Sequence, residues 1–259
     1  MNRIYDRNGE NICEINENLR IIQSNGGLKF GTDSYLLSAF IKKNQKGAAA
    51  DLGSGTGVVS LFAAARCKYD PIYALEIQKK FTVLTLRNAA LNNFVKIIRP
   101  ICADVREVSS HLPAESCRAV FSNPPYMKPG SGKNSSEGEM NIARREIHGT
   151  IDDFVCAAAY LLKFSGSFFT VYRPERLAEL FSSLKKYSLE PKRMITVYPD
   201  VSSAPSLILV EAKKGAAPSL KIARPLIVYR DTKEVKDRKY TEDMERVYGE
   251  FSLEFLFEK

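Results

Sequence analysis

An apolar run, AAADLG (48–53), breaks into glycines and passes straight into a helix-forming run, GVVSLFAAARC (57–67). The join is Asp51-Leu52-Gly53-Ser54-Gly55-Thr56-Gly57. Glycines between a buried strand and a helix permit positive φ and let a ligand reach the backbone with no Cβ in the way. A join of this kind commits the chain to a strand–loop–helix unit of a parallel sheet, with a ligand at the crest. Glu76 lies in the next apolar run, IYALEI (72–77), nineteen residues after Gly57. A carboxylate there can accept hydrogen bonds from both hydroxyls of a ribose. Loop and acid together point to a cofactor that contains adenosine. A dinucleotide fingerprint would need Gly or Ala at position 58, where this chain has Val58, and the Lys-Ser/Thr ending of a P-loop is missing.

The rest of the chain supplies the sheet. Residues 18–30 (NLRIIQSNGGLKF) read as two short strands around a turn at Asn25-Gly26-Gly27. Thr32 or Asp33 is expected to cap a helix through SYLLSAFIKK. Another helix runs from Gln78 to about Asn92, a third strand lies in KIIRPICADV (96–105), and a fourth, RAVFSNPPY (118–126), stops at its prolines. The polar stretch 127–140 is a loop. TIDD (150–153) resembles a capping box and opens a helix, SFFTVY (167–172) is a fifth strand, and a helix starts at Pro174. KRMITVYP (192–199) and SLILVEAKK (206–214) follow one another without a helix, which implies an antiparallel pair. The expected fold is α/β, a mainly parallel Rossmann-like sheet with a terminal antiparallel hairpin and helices on both faces. Residues 1–45 form a hairpin and helix, 46–215 the catalytic domain, and 216–259 an accessory tail.

Chemistry enters with Asn123-Pro124-Pro125-Tyr126 at the end of the fourth strand. Two prolines fix φ twice and remove two backbone donors, leaving carbonyls free to accept. The asparagine oxygen and the Pro124 carbonyl can then both accept from one NH₂ group, while Tyr126 offers a flat face to the ring or amide that carries it. An amine conjugated with a ring or a carbonyl is a poor nucleophile because its lone pair is delocalised. Two acceptors out of its plane favour a pyramidal nitrogen and stabilise the positive charge that develops on it. No metal or strong base is required, and the two histidines, His111 and His148, form no cluster.

These motifs carry a resemblance. DLGSGTG resembles the first motif of the class I methyltransferases, and NPPY after it is similar to that of amino-methyltransferases acting on adenine, cytosine or glutamine amides. With the segments 30–37 (FGTDSYLL), 143–146 (ARRE) and 240–242 (YTE), the chain resembles the bacterial tRNA1(Val) adenine-N6-methyltransferase family and its Gram-positive relatives. The resemblance covers roughly residues 15–250 and implies S-adenosylmethionine as cofactor. It implies that Asp51, Gly53, Gly55, Gly57 and Glu76 hold that cofactor, with Asp104 at its adenine and Asn123 at the reacting methyl. It also implies that Gly31, Thr32 and Asp33 help close the pocket, which competes with a plain helix cap. The substrate it implies is RNA, with tRNA near the anticodon favoured. A protein glutamine, ribosomal RNA or DNA are the alternatives. Glutamine methyltransferases usually carry a helical N-terminal domain and DNA methyltransferases a target-recognition domain, neither of which is evident here.

Charge agrees with a polyanionic partner. The formal charge is +8, and residues 213–239 hold nine Lys/Arg against three Asp/Glu. Lys128, Lys133, Arg144 and Arg145 border NPPY in sequence and are candidates for gripping phosphates, although a solvated charged surface reads the same way. The base itself would have to be unstacked and swung into the pocket. The five cysteines show no paired spacing, so neither a disulfide framework nor a zinc cluster is expected. No apolar run is long enough to span a bilayer. A cytoplasmic enzyme without metal is the expectation.

Overall fold

The computed structural model describes residues 10–16, 19–24, 31–43, 45–125, 149–230 and 238–258. Eleven strands and six α-helices follow one another through these residues. A small antiparallel ribbon, β1 (Glu10–Asn16) and β2 (Leu19–Ser24), comes first, then α1 (Thr32–Phe40). The strand–helix alternation is β3 (Lys46–Leu52), α2 (Val58–Arg66), β4 (Lys68–Glu76), α3 (Lys79–Leu91), β5 (Ile98–Cys102) and β6 (Cys117–Ser122). After it come α4 (Ile151–Leu161), β7 (Leu162–Tyr172), α5 (Leu177–Lys186), β8 (Leu189–Tyr198) and β9 (Leu207–Lys214). The chain closes with β10 (Lys221–Ile222), β11 (Leu226–Ile227) and α6 (Glu242–Glu250).

The main sheet has the order β10-β8-β9-β7-β6-β3-β4-β5, with β11 also on β8. Strands β3 to β7 pair in parallel, whereas β9 runs antiparallel to both β7 and β8. That is the mainly parallel sheet with an antiparallel hairpin expected from the sequence. One face is covered by α1, α2 and α6, which share a core with Phe121, Phe169 and Leu209. The other is covered by α4 and α5, around Val120, Phe168 and Tyr172. Strands buried on both faces read as unbroken apolar runs, which is why β3 and β6 stand out in the sequence. No helix among the described residues is long and apolar enough to cross a membrane.

Among the described residues β2 pairs with an upstream strand that the sequence does not announce: Ile12 faces Ile22 and Glu14 faces Arg20. The downstream strand expected within 25–30 falls outside them. The turn expected at Asn25-Gly26-Gly27 falls outside the described residues. β1 is hard to see in the sequence because its Asn11, Ile12 and Glu14 are exposed and show no apolar alternation. The N-cap of α1 is Gly31, not Thr32 or Asp33. Asp33 instead turns Oδ1 onto the amide of Ser34, 2.7 Å away. The capping box at α4 forms as expected: Thr150 accepts from the Asp153 amide, and Asp153 accepts from the Thr150 amide.

Candidate active site

The carboxyl ends of β3, β4, β5 and β6 open on one cavity of ≈ 430 Å³. This is where an open parallel sheet leaves room for a ligand, because the chain departs in opposite directions on either side. The crest of β3 is held from three sides. The amides of Gly53 and Ser54 both donate to the Leu75 carbonyl at 2.9 Å, which ties the glycine loop to the neighbouring strand. Glu76, buried at the end of β4, accepts from the Gly55 amide through Oε2 at 2.9 Å and from the Gln78 amide through Oε1 at 2.8 Å. The carboxylate is thereby fixed at the edge of the cavity it lines. From behind, α3 grips the loop carbonyls: Thr85 Oγ1 donates to Gly55 O at 3.0 Å and Asn88 Nδ2 to Thr56 O at 2.9 Å.

Two glycines here have separate reasons. A Cβ on Gly55 would meet nothing within 4 Å, so this position opens on the cavity and leaves the backbone approachable. A Cβ on Gly57, at φ +81°, would lie 2.6 Å from Thr85 Cγ2, so its glycine serves the close packing of α2 on α3. Asp51 is wholly buried, with Oδ2 accepting from the Ser60 amide at 3.1 Å and from Ser60 Oγ at 2.7 Å. Burial pushes its carboxyl up to about 7. The two bonds from Ser60 work against that rise and the charge of Glu76 adds to it.

Asn123 follows β6, whose last residue, Ser122, donates through Oγ to Leu52 O at 2.8 Å. The asparagine lies on the cavity wall with its Nδ2 donating to Ser34 Oγ at 3.1 Å. The first turn of α1 thus reaches across and holds the amide. Pro125 is on the wall as well, and Pro124 is buried behind it. Asp104 lies on the opposite rim, where it caps a 3₁₀ turn (Val105–Ser110) and pairs through both oxygens with the guanidinium of Arg106. The structure therefore brings Gly31, Asp33, Asp51, Gly53, Gly55, Glu76, Asp104, Asn123 and Pro125 around one cavity. Thr32 is exposed and off its wall, and Gly57 stands one layer behind. Tyr126, Lys128, Lys133, Arg144 and Arg145 lie outside the described residues.

Thr85, Asn88 and Phe154 carry no motif in the sequence that marks them for the site, and Ser34 stands in FGTDSYLL (30–37) one place beyond the three residues that segment implicates. The ring of Phe154, from α4, floors the cavity, 3.1 Å from where a Cβ on Gly53 would lie. Ser54 Oγ is buried in the lining and has no hydrogen-bond partner among the described residues. An orphaned hydroxyl beside approachable backbone and a fixed carboxylate suits a polar, hydroxyl-bearing ligand.

The chain matches the family model described as methyltransferase small domain over residues 18–186. It is 27% identical to a tRNA1(Val) (adenine(37)-N6)-methyltransferase of Bacteroides fragilis (strain YCH46), covering 87% of this chain and 91% of the relative. It is 26% identical to the protein of the same name from Dickeya chrysanthemi (strain Ech1591), over 87% and 88%. The fold matches the crystal structure of a predicted O-methyltransferase, protein Atu636 from Agrobacterium tumefaciens, with TM-score 0.67, 21% identity and coverage of 85% and 97%.

Proposed function

This chain belongs to the methyltransferase small domain family, and on that premise we propose that it methylates the exocyclic amino nitrogen of adenine in RNA, with tRNA near the anticodon as substrate. S-adenosylmethionine, when bound, supplies an electrophilic methyl carbon on a sulfonium. The residues that would hold it are those of the crest and its rims. Glu76 offers carboxylate oxygens to ribose hydroxyls, the Gly55 backbone lets the ligand come close, and the Ser54 hydroxyl offers a hydrogen bond. Asp104 is at the end of β5, where an adenine amino group would find an acceptor.

One observation carries the acceptor half of the reading: Asn123 stands on the cavity wall beside Pro125, with its amide nitrogen engaged by Ser34. An amide held at its nitrogen presents its oxygen as the acceptor for an incoming NH₂ group. With the Pro124 carbonyl it supplies two acceptors for one amine, which localise the lone pair and stabilise the charge that builds on nitrogen. Holding that nitrogen in line with the methyl is positioning catalysis. The match to the tRNA-modifying relatives over most of both chains, together with the +8 charge, favours RNA over a protein glutamine.

Replacing Asn123 by alanine is expected to leave cofactor affinity within about twofold and to lower turnover by roughly 10²–10³, the scale of losing one transition-state hydrogen-bond group. Calorimetry and single-turnover methylation of tRNA separate the two. Deleting the gene and comparing modified nucleosides by mass spectrometry names the substrate. Loss of N6-methyladenosine from one tRNA is the expected result. Unchanged RNA beside an unmethylated protein glutamine would overturn the RNA reading.

A further inference from the structure

A buried side chain links the N-terminal ribbon to the glycine loop of the pocket. Asn88, on α3, is completely shielded from solvent. Its Oδ1 accepts from the Ile22 amide of β2 at 2.7 Å, and its Nδ2 donates to Thr56 O of the glycine loop at 2.9 Å. Terminal amides are often ambiguous because oxygen and nitrogen look alike. Here the ambiguity is absent: a backbone amide can only donate and a carbonyl can only accept, so one orientation alone satisfies both ends. The same β2 residue makes an apolar connection too. The Ile22 side chain packs with Leu84, Leu91 and Phe81, and Phe81 lines the cavity.

The ribbon is bolted to α3 at two further points. Arg87 makes a bidentate pair with Glu10 at 2.8 and 2.6 Å. Asn92 accepts from the Arg20 amide and donates to the Arg20 carbonyl, at 2.9 and 2.7 Å, as one more strand would. One helix thus holds both the ribbon and the Gly55 and Thr56 carbonyls, with Asn88 common to the two.

We infer that Asn88 is a positioning residue through which the N-terminal ribbon sets the shape of the cofactor loop, so that ribbon docking and cofactor binding reinforce each other. Truncating Asn88 leaves two buried backbone groups unpaired, and the cheapest relief is for the loop or the ribbon to move. Coupling of this kind is reciprocal: what the ribbon gives to cofactor affinity, the bound cofactor returns as ribbon stability. The inference rests on the pocket holding the cofactor and is independent of which amine is methylated.

The test uses the full chain and S-adenosylhomocysteine as probe. In the wild type, ligand is expected to slow hydrogen exchange of the Ile22 amide at least several-fold, more than at β8 and β9 amides away from the pocket. Asn88→Ala is expected to raise the dissociation constant about tenfold and to abolish the extra slowing at Ile22. Asn88→Asp keeps the acceptor for Ile22 but sets a carboxylate against Thr56 O. It should hold the ribbon and still lose affinity. Equal slowing at Ile22 and at β8 and β9 would overturn the inference, as would unchanged affinity in a folded Asn88→Ala. If both variants unfold, the wild-type exchange pattern decides alone. Because no acceptor is present, a failure here leaves the methylation proposal standing.

Discussion

At the scale of single residues, the readable part of the site was the part whose chemistry is local. Glycines at 53, 55 and 57, the acid at 76 and the asparagine before two prolines announce themselves because each stands at the end of an apolar run or in the turn that follows it. Ser34 and Asn88 do not, since they act on Asn123 and Thr56 from 89 and 32 positions away. An Asn in mid-helix looks like any polar helix residue until the fold sets a carbonyl in front of it. Asp51 shows the energetic side of such placement. Its carboxyl is raised from an ordinary 3.8 to about 7, so the folded chain keeps a proton that the unfolded chain releases from about pH 4 upward. Stability contributed by that proton is present at low pH and is lost as pH climbs toward 7. Asp51→Asn removes the titration while keeping an oxygen for Ser60. Relative to wild type, the variant is expected to gain stability between pH 5 and pH 8, by at least about 1 kcal/mol, in urea unfolding at the two values. A difference independent of pH would show that Asp51 titrates normally.

At the scale of elements, strands buried on both faces and the helices between them were legible, whereas β1 and the Thr241-capped α6 were not. The ribbon shows why. β2 buries Leu19, Ile21 and Ile22 and reads as a strand, whereas β1 carries exposed Asn11, Ile12 and Glu14 and is held by pairing and by Arg87. Helix packing at the glycine loop was legible only as a requirement for glycine, without its cause. That cause is Thr85, whose methyl occupies the space a Cβ at position 57 would enter. Gly57→Ala is therefore expected to lose stability twice over, through a left-handed backbone costing about 1–2 kcal/mol and through the clash. Thr85→Ser removes the methyl but retains the hydroxyl that bonds Gly55 O. When Gly57→Ala is combined with Thr85→Ser, the alanine should cost measurably less, leaving the backbone part and the looser contacts with Oγ1 (3.0 Å) and Cβ (3.2 Å). A double-mutant cycle by chemical denaturation reads the difference, and strict additivity would mean that Thr85 does not set the loop.

At the scale of the whole molecule, residues 216–259 are the least legible, yet those described are tied to the sheet. β10 and β11 have two residues each, too few for any periodicity, yet they extend the sheet beside β8. Part of the positive charge in residues 213–239 serves the fold: Arg224 pairs with Asp243, and Lys214 with Glu115. The joint that ties this segment to the sheet is Arg193 on β8. Its guanidinium packs against the rings of Phe40 (4.9 Å) and Phe257 (4.3 Å) and pairs with Glu211 at 3.1 Å and Glu254 at 2.8 Å. The two acids are not equivalent. Glu211 has 1% of its side chain exposed, Glu254 48%. An exposed pair contributes at most about 1 kcal/mol, so Glu254→Ala should be nearly silent. Arg193→Ala instead leaves the buried Glu211 with only Lys42, 3.4 Å away, and Ser167 as partners, and breaking a buried pair costs about 3–5 kcal/mol. Arg193→Ala should thus lower the urea midpoint far more than Glu254→Ala. Because Phe40 and Phe257 belong with Leu36, Phe121 and Leu256 to one core, sheet and C-terminal segment should unfold in a single transition in both variants. Equal costs for the two substitutions would place the joint elsewhere, and two separate transitions would show that the C-terminal segment folds apart from the sheet.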